Sequence, residues 1–177
     1  MTAEIRTDRL LLRGWTDTDR PAFAAINQDP LVMEFIGPLM TPAESDAFVD
    51  RMAGHWDERG FGLWCVDIDG ECIGFTGLNV PRWEAHFTPC VEVGWRLASA
   101  HWGRGYATEA ARASVAFGFD ELGLDEIVSF TTVANVRSRR VMEKLGMTHD
   151  PSDDFDHPTA VEWLRPHVLY RLPCARS

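Results

Sequence analysis

Trp102-Gly103-Arg104-Gly105-Tyr106-Ala107-Thr108-Glu109-Ala110 joins two unlike patterns. Upstream, residues 91–97 alternate: Val91, Val93, Trp95 and Leu97 share one side, and Glu92, Gly94 and Arg96 share the other. That is the period of a strand. Downstream, Ala107, Ala110, Ala111, Val115, Phe119 and Leu122 recur at helical spacing, and Gly123 supplies a stop. The join is therefore a strand-to-helix turn. Its glycines let the backbone turn tightly and approach a ligand without a Cβ in the way. The free N–H groups and the dipole of the helix start favour an anion, and Arg104 adds a positive charge. Taken alone, the turn is either an anion cradle or an ordinary tight loop. It is not a P-loop, because G-x-x-x-x-G-K-[ST] is absent. Nor is it a dinucleotide fingerprint, because the third glycine is missing and the strands before it are hairpin-rich.

Working outward, Ile5, Leu10 and Leu12 predict a strand over residues 5–13. Thr16, Asp17 and Asp19 offer caps for a helix through Phe23, Ala24, Ile26 and Asn27, which should stop at Asp29-Pro30. Thr41-Pro42-Ala43-Glu44 reads as a capping box with proline at the first helical position, and Gly60 ends that helix. Asp69-Gly70 between the apolar runs Leu63–Ile68 and Cys72–Phe75 predicts a hairpin. A β-branched strand (127–133), a short helix (137–145) stopped by Gly146, a polar loop (150–158) and a last strand (167–172) complete the chain. The order predicts an α+β fold, one domain over residues 1–177, with a mixed, mostly antiparallel sheet.

Composition narrows the function. The 177 residues carry 17 Lys and Arg against 27 Asp and Glu, a net charge of −10. That argues against nucleic acid as a partner and suits a cationic acceptor such as an amine. No apolar run is long enough for a membrane span, and the first 25 residues are too charged for a signal peptide. Cys65, Cys72, Cys90 and Cys174 form no C-x-x-C pair and are expected to be reduced, which points to the cytoplasm. His149, Asp150, Asp153, Asp154, Asp156 and His157 lack a metal-ligand spacing, so no metal is expected there. Trp56 and Trp64 read as core. Trp83–Phe87, between two strands, are expected to line an acceptor groove.

Strand 91–97 followed by Trp102–Ala107 resembles the acyl-CoA signature of the GNAT acetyltransferases, [QR]-x-x-G-x-[GA], with Trp102 departing at the first place and Gly105 and Ala107 matching. Thr7-Asp8-Arg9-Leu10-Leu11-Leu12-Arg13, Asn135-Val136-Arg137-Ser138, Val141–Met147 and His167–Leu172 are similar to the RimJ/RimL-like branch, which acetylates protein N-terminal amines. The resemblance implies splayed central strands with helices on both faces of the sheet. It implies acetyl-CoA as co-substrate and direct transfer to an amine acceptor. Backbone groups of Trp95, Arg96 and Leu97 would pair with pantetheine, and the N–H groups from Gly103 through Arg104, Gly105, Tyr106 and Ala107 to Thr108 would hold the pyrophosphate.

Asn135 can either hydrogen-bond the cofactor arm or cap the helix that follows. Ser138 shares a helical face with Val141, Met142 and Leu145, where it is either a proton donor to the departing thiolate or an ordinary first-turn serine. Many family members use a tyrosine seven residues after the asparagine for that proton; Met142 stands there in this chain. Glu92 is the candidate base, in competition with a structural role or with water as the base. The acceptor stays open between a peptide N-terminus and a small amine or antibiotic. A non-catalytic acyl-CoA-binding relative is the rival from another class, and a homodimer is neither required nor excluded.

Overall fold

The computed structural model describes residues 2–175. The expected first strand is a hairpin of β1 (Ile5–Arg6) and β2 (Leu11–Arg13), because Thr7 folds the chain back: its N–H reaches Leu10 O at 3.0 Å, and its Oγ1 accepts from Leu10 N at 3.0 Å. One turn at Asp17–Asp19 leads into α1 (Arg20–Asn27). Pro30 does end α1's run, but it does so by opening α2 (Pro30–Met33), whose first turn Asp29 caps through Leu31 N at 2.9 Å. The capping box forms as read: α3 (Pro42–Arg59) starts with Glu44 N on Thr41 Oγ1 at 3.2 Å and Thr41 N on Glu44 Oε2 at 2.7 Å.

The hairpin at Asp69-Gly70 joins β3 (Leu63–Ile68) to β4 (Glu71–Asn79). β5 (Glu92–Leu97), α4 (Tyr106–Asp120), β6 (Glu126–Thr132) and α5 (Val136–Lys144) follow. The segment 150–158 departs from the expected loop. After β7 (Thr148–His149), it contains β8 (Phe155–Asp156), which pairs with the last strand β9 (Pro166–Pro173). Phe155 explains this, since its ring packs against Trp83, Phe87 and Phe130. Two of the acidic residues around it are paired. Asp153 bonds Arg171 at 2.7 Å and His86 at 3.2 Å, and Asp154 bonds His149 at 2.7 Å.

The sheet runs β1-β2-β3-β4-β5-β6-β9-β7, with β8 on β9. Every pairing is antiparallel except β5–β6. Small residues of α4, namely Ala110, Ala111, Ser114 and Gly118, let that helix lie on one face, over Leu78, Val93 and Ile127. On the other face, Phe23 and Ile26 of α1 and Val49 and Met52 of α3 cover Leu63 and Phe75. Helices thus cover both faces, as expected. No helix among the described residues is long and apolar enough to cross a membrane.

β5 and β6 meet at one register pair, Glu92 opposite Val128. Val128 N reaches Val91 O and Ser129 Oγ reaches Val93 O, each at 2.9 Å, and then the strands part. This is the splay that the resemblance implied.

Far from that gap, Arg13 ties β2 to two buried carboxylates, Asp19 and Asp67, each at 2.8 Å. Removing the guanidinium leaves both without a countercharge. Arg13→Leu is expected to cost about 3–5 kcal/mol in urea unfolding; a loss below about 1 kcal/mol would show that the pair contributes no more than a surface bridge.

Candidate active site

The parting of β5 and β6 opens a cleft with two arms. One, of about 260 Å³, runs between the end of β5, the glycine turn and α5, and is lined by Trp95, Leu97, Gly105, Tyr106, Arg137 and Arg140 among others. The second, of about 310 Å³, lies on the α1/α3 face of the sheet, along Glu92, Gly94, Phe48, Met52, Phe75 and Phe130. Phe35, Ile36, Trp95, Arg96, Asn135 and Ser138 line both arms and so mark their junction.

The first arm can take an anionic ligand at one end. Gly103 and Gly105 have φ of +74° and +83°, the left-handed region that favours glycine. The first bond inside α4 runs from Glu109 N to Gly105 O at 3.0 Å, so the N–H groups before it remain free at the helix start. The first hairpin braces this turn: Thr7 Oγ1 donates to Glu109 Oε1 at 2.6 Å, Arg9 Nε to Glu109 Oε2 at 2.7 Å and Arg9 Nη1 to Arg104 O at 2.9 Å. Burial alone would raise the Glu109 carboxyl; these Thr7 and Arg9 hydrogen bonds outweigh it and hold the group below its ordinary value. Arg104 itself is exposed and does not line the arm.

The positive charge comes instead from α5. Arg137, Arg140 and Lys144, at i, i+3 and i+7, line the arm opposite the glycine turn. Sequence reasoning passed over them because a basic stripe on a short helix reads as a solvated face. Arg137 also packs over the Trp102 ring, 4.4 Å from its centroid, and bonds Glu34 at 3.1 Å, so it bridges across the arm. His101 lines this arm too, and its Nδ1 is buried without a partner among the described residues.

Backbone geometry separates the three β5 residues expected at pantetheine. Ala98 N bonds Ile73 O at 2.9 Å, and Arg96 lies opposite Phe75, so the N–H and C=O of Arg96 point at β4. Trp95 and Leu97 turn theirs to the gap, where Leu97 O already accepts from Trp102 Nε1 at 2.9 Å. Arg96 therefore enters the cleft through its side chain alone. This corrects the backbone contact expected for it.

Asn135 caps α5: its Oδ1 accepts from Ser138 N at 3.2 Å. Its Nδ2 donates to Thr131 Oγ1 at 3.0 Å and to Ser138 Oγ at 3.1 Å, so both amide hydrogens have partners within the protein. Ser138 Oγ is an acceptor in that bond, and its hydroxyl hydrogen has no acceptor among the described residues at the junction of the arms. Met142, one turn further on, is buried core.

Glu92 lies deeper in the second arm, where Asn79 Nδ2 donates to its Oε1 at 2.6 Å. Burial pushes its pKa up to about 7 against the lowering effect of that bond. Next to it, Gly94 leaves the floor bare: a Cβ there would meet nothing within 4 Å. Trp83 and Phe87 do not line the groove as expected; they pack behind Phe130, which does, along with His167.

A strand-splayed mixed sheet with a glycine turn at the start of α4 is an acyltransferase architecture, and the comparisons agree. The "Acetyltransferase (GNAT) domain" family model matches residues 9–148. The FsC-acetyl coenzyme A-N(2)-transacetylase of Aspergillus fumigatus is 37% identical over 91% of this chain and 78% of its own. YkkB of Bacillus subtilis is 32% identical over 93% and 92%. The crystal structure of an acetyltransferase from Agrobacterium tumefaciens superposes with a TM-score of 0.80 at 30% identity, covering 98% of this chain and 96% of that one. The chain belongs to the GNAT acetyltransferase family, whose members are acetyl-CoA-dependent transferases.

The raised Glu92 pKa has a signed consequence. The folded protein keeps on Glu92 a proton that the unfolded chain loses above its ordinary value of 4.5. The stability this carries is complete below that value and lost as pH rises through about 7. Glu92→Gln keeps an acceptor for Asn79 without the charge. Its Tm is expected to exceed that of the wild type by more near pH 8 than near pH 5 in calorimetry. A pH-independent difference would show that Glu92 holds no such proton.

Proposed function

We propose that this chain transfers the acetyl group of acetyl-CoA directly to a primary amine, with acetyl-CoA in the first arm and the acceptor in the second. The observation that carries this is the junction. The free hydroxyl hydrogen of Ser138 and the gap-facing backbone of Trp95 sit where the two arms meet. The N–H groups from Gly103 to Thr108, with Arg137, Arg140 and Lys144, suit the phosphates of CoA. No cysteine lines either arm among the described residues, which supports transfer without an acyl-enzyme.

In the reaction, the amine nitrogen attacks the thioester carbon, a C–N bond forms and the C–S bond breaks. Trp95 N–H is the donor available to the carbonyl oxygen as charge develops on it. The ammonium proton passes to Glu92 through water, and a carboxylate poised near pH 7 is well matched to that task. The CoA thiolate takes a proton from Ser138, which regains one from solvent. A peptide N-terminus, as the RimJ/RimL resemblance implies, and a small amine share this chemistry. Free Cys65, Cys72, Cys90 and Cys174 support a reducing compartment, the cytoplasm.

Thiol release from acetyl-CoA, screened against peptide N-termini and small amines, tests the reading; no release with any amine refutes it. CoA is expected to raise Tm, and Gly105→Val, which forces a β-branched residue to a φ of +83°, is expected to remain folded and lose that shift. Undiminished CoA affinity in this variant would take the phosphates elsewhere.

Ser138 acts only as charge develops on sulfur, so its effect belongs in kcat. Ser138→Ala is expected to lower kcat about tenfold, or about 1.4 kcal/mol, with KM for acetyl-CoA nearly unchanged. Ser138→Cys, which keeps a donor, should retain more activity. A higher KM with intact kcat would make Ser138 a positioning residue for acetyl-CoA.

A further inference from the structure

Arg96 is the one charged residue lining both arms, and the transfer chemistry leaves it unused. It is 8% exposed, and none of the ion pairs among the described residues includes it. Its Nη1 donates to Asn27 Oδ1 at 2.6 Å and lies 4.0 Å from Met40 Sδ. Phe48 and Phe75 flank the guanidinium, with centroids at 5.3 and 5.4 Å. Nε is buried with no partner, and Nη2 has none among the described residues either. The Nε/Nη2 edge is the fork that grips a carboxylate through two parallel hydrogen bonds.

A buried charge without a countercharge is costly, and folded proteins rarely keep one. Here the neighbour that could have been acidic is a neutral amide. Asn27 is fully buried and fixed by Ser45, whose Oγ accepts from Nδ2 at 2.9 Å. Burial lowers the Arg96 pKa only to about 10, so the group stays charged at neutral pH. Glu92 does not neutralise it. It lies four residues away on the same strand face, about 13 Å along the backbone by strand rise, and bonds Asn79 instead.

We propose that Arg96 is the carboxylate-binding residue of the acceptor subsite, and that the acceptor is a free α-amino acid with an apolar side chain. Because Arg96 lies at the junction where the thioester must react, the carboxylate it holds is close to the attacking amine. An α-amino acid has that spacing, with one carbon between the two groups. Its side chain then lies over bare Gly94 toward Phe48, Met52 and Phe75. The inference rests on the acetyl-transfer reading above and narrows its acceptor.

Matched acceptors test it. L-methionine, L-leucine and L-phenylalanine are each compared with their carboxamides in thiol release with acetyl-CoA. Wild-type kcat/KM is expected to favour the acid by about 10²-fold, although the amine of the carboxamide loses its proton more easily. Asn27→Asp keeps the side-chain shape and supplies the countercharge from within; it is expected to cut the preference about tenfold or more. Arg96→Gln is expected to abolish it. Calorimetric titration of the CoA complex with N-acetyl-L-methionine and its carboxamide gives the same comparison without turnover. Equal use and equal binding of acid and amide by the wild type overturn the subsite, as does faster acetylation of peptide N-termini than of free amino acids. A preference unchanged in both variants overturns the role of Arg96. If no amine is acetylated, the transfer reading falls, and the titration still decides whether Arg96 holds a carboxylate.

Discussion

The site depends on two strands that begin to pair and then stop. β5 and β6 share one register pair, and each is held on its far side by a full antiparallel partner, β4 for one and β9 for the other. Ser129 Oγ takes Val93 O as the strands part, so a side chain ends the ladder where a backbone donor would have continued it. Beyond it, the backbone groups of Trp95 and Leu97 face a gap instead of a neighbour. Backbone polar groups left this way are satisfied by water or by a ligand. Trp102 covers one of them through Leu97 O; Trp95 remains open at the point where the arms meet.

The charge distribution follows the same division. The chain carries a net charge of −10, yet the first arm is lined by Arg137, Arg140 and Lys144 and ends on the free N–H groups of the α4 start. A local positive field inside a negative molecule is the arrangement that the proposed polyphosphate site calls for. The brace from Thr7 and Arg9 to Glu109 holds that helix start in place. It also gives the Thr7–Arg13 stretch its contact with a turn far away in sequence.

Much of the frame was legible because local chemistry dictated it. The capping box at Thr41 and Glu44, the Asp69-Gly70 hairpin and the alternation of β5 all act within a few residues. Misreadings arose where apolar spacing hides a turn or where distant contacts decide. Residues 5–13 read as one strand because apolar spacing does not reveal that Thr7 closes a turn on Leu10. Phe155 looked like part of a polar loop until an aromatic cluster from two other segments received it. Glu92, Gly94 and Arg96 were correctly placed on one strand face. Period alone, however, could not say that α1 and α3 would bury Arg96, or that its charge would face an amide instead of an acid.

One property of the second arm ties the acid to the base. The burial that raises Glu92 toward neutral pH also lowers Arg96, because loss of water disfavours either charge. An apolar arm would be more stable without the two groups, and neither satisfies the other across Gly94. Both are relieved by a molecule that brings an ammonium and a carboxylate at once. In the proposed transfer the carboxylate restores a countercharge to Arg96, and the ammonium, delivering its proton through water, leaves Glu92 in the protonated form that its surroundings favour. The same desolvation thus makes the empty arm costly and makes it selective for an acceptor that carries both charges.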